Sequence, residues 1–309
     1  MSTRISAIIC TQNRADYLQK ALQSLVDQTL DQEQYEIIVV DNASKDHTRQ
    51  VVESFATEPH VQYIYEPVLG LSRARNTGAH HARGTYIAYL DDDAIAVPGW
   101  LVNIVDMFET FQPTPGGVGG KSIPIWEAPP PPWLSDHFYG PLALIDWSDT
   151  PTLINDEQWL AGCNIAFRKD LLDQIGGFRE DLGRKGTSLQ SGEEYDVQVR
   201  IAALGYPMAY HPAIEVSHHV AARRLEKRYF RRHRYWLGFT EATMIENRQH
   251  LSAVGRLWLS TKRIGWLFAR FPLMVITPDP AGRFRRQCQG FETVGYLSGL
   301  WKLGLDANA

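Results

Sequence analysis

Two hydrophobic periods alternate along the first third of the chain. Residues 5–11 form a continuous apolar run of strand length, and the stretch 15–25 places Leu18, Ala21, Leu22 and Leu25 at the spacing of one helix face. A second strand is predicted over 35–40, ending at Asp41, followed by a turn through 42–46 and a helix over 48–55. A third strand is predicted at 61–65 and a short helix at 71–82. The fourth strand, 86–90, stops in three adjacent carboxylates, Asp91, Asp92 and Asp93. Strands alternating with helices need right-handed crossovers, so the expected class is α/β. The sheet should be Rossmann-like and mainly parallel with helices on both faces, a nucleotide-binding architecture as far as residue 111.

Beyond that point the pattern loosens. The glycine run 116–120 lets a backbone approach a ligand, or equally makes a tight strand connection. Four consecutive prolines, 129–132, enforce extended backbone, so 125–151 reads as a loop-rich insertion over the active-site edge. Its aromatics, among them Trp126, Trp133, Phe138, Tyr139 and Trp147, either stack on a ligand or pack the loop down; packing is the commoner use of any one of them. A strand is predicted at 159–167. A helix opens near Glu193, with Val197, Ile201 and Leu204 on one face, and a further strand covers 214–217. The expected division is a catalytic domain over 1–220, made of halves 1–111 and 112–220, and a helical region over 221–309.

Composition changes the picture mainly through charge. The chain of 309 residues carries a net charge of -4, but from Ala221 onward 16 Lys and Arg face 6 Asp and Glu, against 15 and 29 before it. A basic tail on an acidic body suggests an anionic partner for the tail. Basic and aromatic residues interleave over 223–236 and again over 257–276, a composition that suits a membrane interface. A basic helical subdomain, packed on the body or at a dimer interface, fits the same composition. Nucleic acid is disfavoured by the acidic body and the lack of a recognised module. Cys10, Cys163 and Cys288 have no metal-ligand spacing, which points to a reducing compartment. The N-terminus has no basic segment leading into an apolar core, and no apolar run reaches the roughly 18 residues of a spanning helix, so a cytoplasmic protein, in the membrane reading peripheral, is expected.

The candidate chemistry lies at strand ends. Burying three carboxylates unpaired would be very costly, so Asp91, Asp92 and Asp93 should face water, a cation or a ligand carrying one. An acidic turn opening the next helix explains the triplet as well. In a parallel sheet the stretches Thr11-Gln12-Asn13-Arg14 and Asp41-Asn42-Ala43-Ser44 end on the same edge. Arg14 can fork onto a phosphate, Asp41 can accept from a base N–H or ribose hydroxyl, and the aspartates suit Mn²⁺ or Mg²⁺ on a diphosphate. No Gly-x-Gly-x-x-Gly or Gly-Lys-Ser/Thr loop follows the first strand, which disfavours dinucleotide oxidoreductases and P-loop enzymes. A second centre is Glu193-Glu194 in the first turn of its helix. Negative charge there is favoured by the helix dipole alone, yet a carboxylate across the cleft could also act as a base. His218 is a plausible Mn²⁺ ligand or an ordinary half-buried histidine.

The stretches 8–14, 39–46, 70–78 and 89–93, in that order, resemble the successive motifs of family 2 glycosyltransferases, which have the GT-A fold, over roughly the first 220 residues. The resemblance implies inverting transfer from a nucleotide-diphosphate sugar, UDP-linked by expectation, with Mn²⁺ or Mg²⁺. The acceptor would be a saccharide or lipid-linked, in polysaccharide or glycoconjugate synthesis. By that resemblance Asp41 contacts the nucleobase, Thr11 and Arg14 frame the nucleoside with Asn13, and Arg73 approaches the donor. Asp91 lies near the ribose with Asp92 beside it, Asp93 binds the metal, and His218 completes the metal shell. The family reads Gly-Glu-Asp where this chain reads Gly192-Glu193-Glu194, so Glu194 inherits the role of base with one more methylene of reach, and Glu193 is the alternative. A sugar-phosphate nucleotidyltransferase, which would show a Gly-rich phosphate loop, and a noncatalytic sugar-nucleotide-binding relative are the competing readings.

Overall fold

In the computed structural model the apolar run at the N-terminus is strand β1 (Ile5–Thr11), and its alternating side chains face two different helix layers. Ile5, Ala7 and Ile9 point into a core shared with helices α1 (Ala15–Val26) and α4 (Trp100–Thr110), where Leu18, Leu22, Trp100 and Ile104 are fully buried. Ile8 points the other way, into a core with helices α3 (Leu71–His81), α5 (Lys169–Gln174) and α6 (Glu193–Ala203). Each fully buried Leu or Ile contributes about 1.5–3 kcal/mol relative to exposure, so both faces of β1 hold the layers together. At Gly78 of α3 an added Cβ would lie 2.6 Å from Ile8 Cγ2; this close approach requires glycine.

The structure describes residues 3–186, 188–249, 251–276 and 279–303. They group into two units. The first comprises Met1–Ile125, Ala143–Gly186 and Glu193–His219, and the second Trp126–Leu142, Thr187–Gly192 and Val220–Ala309.

The remaining elements of the first unit are strands β2 (Tyr35–Asp41), β3 (Val61–Tyr65), β4 (Tyr86–Asp91), β5 (Ala94–Ala96), β6 (Gly117–Trp126), β7 (Thr152–Leu153), β8 (Asn164–Arg168) and β9 (Met208–Val220), with helix α2 (Thr48–Glu53). They form one mixed sheet in the order β3-β2-β1-β4-β8-β6-β9-β5, with β7 also on β9. The expected parallel pairing holds for β3, β2, β1 and β4, whereas β8 joins β4 antiparallel and β6 joins β8 antiparallel. Register places Thr11 opposite Asp41 and Cys10 opposite Asp91, so the ends of β1, β2 and β4 lie on one edge.

Two sequence expectations shift here. The strand predicted over 159–167 begins only at Asn164, because the backbone of Leu160 is held by the Gln198 side chain: Leu160 N donates to Oε1 at 3.0 Å and Nε2 donates to Leu160 O at 3.0 Å. The glycine run serves strand packing, since a Cβ on Gly119 would sit 2.7 Å from the backbone oxygen of Asn164.

The second unit contains α7 (Lys227–Gln249), α8 (Ala253–Ile276) and α9 (Pro280–Trp301). Gly238, Gly295 and Gly299 bring α7 and α9 into backbone contact; at Gly295 an added Cβ would run into the carbonyl of Tyr235. The Pro-rich stretch packs here through Trp133 and Phe138, whose rings meet Phe230 and Phe284 with centroids 5.2 to 5.4 Å apart. Tyr229 Oη and Arg224 Nη2 donate to the Pro141 carbonyl at 3.0 and 3.2 Å. Packing is thus the role the rings of Trp133 and Phe138 fill, and Trp147 likewise packs edge-on against Trp159 in the first unit at 5.1 Å.

Candidate active site

At the shared strand edge the loops after β1 and β2 are clasped together. Asn13, at φ 53, donates its backbone N–H to Ser44 Oγ at 2.9 Å, and its Oδ1 accepts from Lys45 N at 2.7 Å. A non-glycine residue held in the left-handed region needs such support, and Asn tolerates it best. Asp41 is buried; its carboxylate accepts from Ser44 N at 2.9 Å and from Tyr63 Oη at 2.7 Å. Burial and this hydrogen bond together push the Tyr63 phenol up.

The aspartate triplet divides. Asp92 turns inward, accepting from Thr11 Oγ1 at 2.7 Å and from Arg14 Nη1 at 2.8 Å. Burial pushes its carboxyl up to about 7, while the Arg14 guanidinium acts in the opposite direction. Arg14 Nη2 donates to Asp93 Oδ2 at 2.6 Å, so one guanidinium spans both side chains, as its fork geometry allows. Asp91 and Asp93 instead gather with His218: one donor atom from each lies within 4.8 Å of the others. The pairing of β5 with β9, Ala94 opposite His218, brings in a residue more than a hundred positions away, and His219 N donates to the Asp93 carbonyl at 2.8 Å. His218 Nε2 stands 3.4 Å from Asp93 Oδ1, while its buried Nδ1 has no hydrogen-bond partner. Two carboxylates and an imidazole are a donor set that Mn²⁺ accepts readily, and the residues fit a divalent cation.

The Glu193-Glu194 pair opens α6, and it meets the strand edge through Arg75, a residue the sequence reading passed over in favour of Arg73. Arg75 is buried; Nη1 donates to Glu193 Oε1 at 2.7 Å, and Nη2 lies 3.3 Å from the Gly162 carbonyl and 3.5 Å from Asp91 Oδ1. Its guanidinium also stands over the rings of Phe178 and Tyr89, 5.4 and 5.8 Å from their centroids. A Cβ at Gly162 would come within 2.7 Å of Nη2, so that glycine leaves the room the guanidinium needs. Arg73, two residues earlier and on the opposite side of α3, is half-buried and pairs with Glu66 at 3.1 Å and Glu180 at 3.3 Å. The available signal was the helix period: Arg75 shares its face with Gly78 and Ala79, small residues that sit against the sheet.

Glu194 is half-buried as a residue, but its Oε2 is sealed from solvent and has no hydrogen-bond partner; the same holds for Glu193 Oε2. Burial, and then the charge of Glu193, push the Glu194 carboxyl up to about 8, with Arg75 opposing. A carboxylate so raised can hold or release a proton near neutral pH, the property a general base needs. A separate hollow of about 490 Å³, lined in part by Arg83, Tyr86, Arg168 and Lys169, lies at the opposite end of β4 and takes in none of these acids.

A parallel half joined to an antiparallel half, with acids at the strand edge and a second acidic element on α6, fits the GT-A fold. The chain belongs to glycosyl transferase family 2, whose family model matches residues 6–176. It is accordingly a glycosyltransferase, and the nucleotidyltransferase and noncatalytic readings fall away. It is 27% identical over 245 residues to the glucosyl-dolichyl phosphate glucuronosyltransferase of Haloferax volcanii, covering 78% of this chain and 77% of that protein. It is 25% identical over 303 residues to the succinoglycan biosynthesis protein ExoM of Rhizobium meliloti, covering 96% and 92%. Among solved structures, the mannosyltransferase PcManGT of Pyrobaculum calidifontis, in complex with GDP-Man and Mn²⁺, superposes with a TM-score of 0.65 at 21% identity, over 98% of this chain and 88% of that one.

Proposed function

We propose that the protein transfers a sugar, with inversion and with a divalent cation, from a nucleoside-diphosphate sugar to a saccharide or lipid-linked acceptor in polysaccharide or glycoconjugate synthesis. The observation that carries this reading is the Arg75 bridge, which contacts Asp91 of the strand edge and Glu193 beside the candidate base with one guanidinium. Support also comes from relatives: one is named as acting on glucosyl-dolichyl phosphate, and a fold neighbour is described with GDP-Man and Mn²⁺. UDP is our expected nucleotide, and Mn²⁺ or Mg²⁺ the expected ion.

In this mechanism Asp41, fixed by Ser44 and Tyr63, presents an acceptor to the nucleobase, with Thr11 and Asn13 shaping the nucleoside pocket and Arg73 at its rim. Asp91, Asp93 and His218 would hold the cation, and Arg14 orients Asp92 and Asp93. The chemistry a bound cation would supply there is neutralisation of the charge that develops on the departing diphosphate. Glu194 takes the proton of the acceptor hydroxyl as that oxygen attacks the anomeric carbon. The bond to the diphosphate breaks on the opposite face, so configuration inverts, as with the paired carboxylates of inverting glycosidases. Glu193, neutralised by Arg75, leaves the neighbouring carboxylate to do the proton transfer.

The basic C-terminal helices are assigned to peripheral contact with the cytoplasmic face of a membrane. No described helix is long and apolar enough to cross one. Nucleoside-diphosphate release, measured with and without Mn²⁺ for the wild type, Asp93→Ala and Glu194→Ala, tests the chemistry. Metal-stimulated release lost in both variants is expected; unchanged release in both refutes the assignments.

A further inference from the structure

Helix α8 is inverted relative to an ordinary surface helix. Its arginines turn inward: Arg256 pairs with Glu246, and Arg263 with Glu241 at 3.0 Å and Glu292 at 3.1 Å while standing 4.8 Å from the centre of the Tyr296 ring. Ser260, on the same side, is buried and accepts from Trp301 Nε1 at 3.0 Å. The outward side carries Val254 at 77% exposure, Leu257 at 57%, Trp258 at 60%, Ile264 at 36% and Phe268 at 73%. At 3.6 residues per turn these positions fall within an arc of about 120°. The other residues described as exposed in that arc, Thr261, Gly265 and Pro272, are uncharged, and exposed Ala269 lies at its border. A solvated helix shows the reverse arrangement, and an apolar stripe of this length marks a contact surface.

We infer that the outward face of α8 docks on an anionic lipid bilayer, lying in the interface plane. Residues 253–276 contain no acid, and the stripe is flanked by exposed cations poised on aromatic rings: Lys262 Nζ is 5.3 Å from the Trp258 centroid, and Arg270 is 4.3 Å from that of Trp266. Tryptophan and phenylalanine at the acyl boundary, with Lys and Arg at headgroup level, are the pairing such a surface accepts. A second copy of the chain fits less well, because a self-complementary contact would set this acid-free helix against itself and bring like charges together. The helix lies on the membrane and does not span it, since its four cations break the apolar run and no described helix reaches the length and hydropathy of a span. This inference deepens the membrane part of the proposed function and is independent of the transfer chemistry.

The test is co-sedimentation of the full chain with vesicles of phosphatidylcholine alone, or mixed with phosphatidylglycerol, at low and high salt. The wild type should pellet with the anionic vesicles at low salt and less at high salt, because screening weakens the headgroup attraction. The variant Leu257→Ser/Trp258→Ser/Phe268→Ser should bind at least about tenfold more weakly, having lost the buried apolar area, and Lys262→Glu/Arg270→Glu should lose the preference for anionic lipid. Circular dichroism melts confirm folding of both variants, whose changed side chains are exposed. No vesicle binding at low salt, or binding by the triple variant equal to that of the wild type, overturns the inference. So does self-association in sedimentation velocity that the triple variant abolishes while vesicles are ignored. Nucleoside-diphosphate release on the same preparations separates the two readings: metal-dependent release without vesicle binding defeats only the docking surface, and vesicle binding without metal-dependent release defeats only the proposed transfer chemistry.

Discussion

Replacing Arg75 by methionine keeps much of the apolar volume and removes the charge that Glu193 depends on. Glu193 is buried, its Oε1 has Arg75 as a partner at 2.7 Å, and its Oε2 has none, so in the variant the carboxylate is stranded in the interior. Breaking a buried pair from one side costs about 3–5 kcal/mol. At about 2–4 °C per kcal/mol for a unit of this size, the melting temperature should fall by about 6–20 °C. The second step is Arg75→Met combined with Glu193→Gln, which removes the stranded charge. The double variant should recover part of the loss, giving a coupling of about 2 kcal/mol between the two sites. The assay is urea and thermal unfolding followed by circular dichroism near neutral pH without added metal, on the wild type, both single variants and the double. A loss under about 1 kcal/mol for Arg75→Met, or additivity of the two changes within about 0.5 kcal/mol, would refute the buried-bridge reasoning.

Four further outcomes are expected. Glu194, with its carboxyl raised to about 8 by burial and by Glu193, is protonated in the folded chain over a range where the unfolded chain has lost the proton. Its contribution to stability is therefore full below the ordinary glutamate range and lost as pH rises through the raised value, so melts of Glu194→Gln should show a flatter decline over that window; identical slopes would count against it. The same shift predicts that kcat/KM climbs with pH toward the raised value, because the base must be ionised. His218→Ala should weaken Mn²⁺ binding by about tenfold or more, read as a smaller metal-induced rise in melting temperature, and an unchanged rise would remove His218 from the cation site. Gly78→Ala, whose Cβ would meet Ile8 at 2.6 Å, should destabilise by about 1–3 kcal/mol in urea unfolding; a neutral result would mean that α3 can shift away from β1.

What the sequence could disclose tracks how local each feature is. Strands β1, β2 and β4 were legible because each buries a continuous apolar run, α1 because Leu18, Leu22 and Leu25 line one buried face, and β3, only half-buried, through its β-branched and aromatic composition; parallel topology then put Thr11, Asp41 and Asp91 on one edge. The start of β8 was not legible: 159–163 has strand composition, but the competing partner of its backbone is Gln198, a side chain on a distant helix. The fate of the triplet was hidden for the same reason. Three consecutive aspartates are chemically alike, and only the positions of Thr11 and Arg14 turn Asp92 inward, while the pairing of β5 with β9 gathers Asp91 and Asp93 around His218.

Arg75 is the sharpest case, because composition argues against burying an arginine, and an exposed arginine near a phosphate site is the better bet from sequence alone. What reverses the odds is a set of partners that meet only in three dimensions: Glu193 from α6, Asp91 from β4, the Gly162 carbonyl, and the rings of Tyr89 and Phe178. A guanidinium has five donors in a rigid plane and can be satisfied by several neighbours at once, which a lysine could not match. The strand edge and α6 thus share one charged link, and in the mechanism proposed above a change at either end is felt at the other through Arg75.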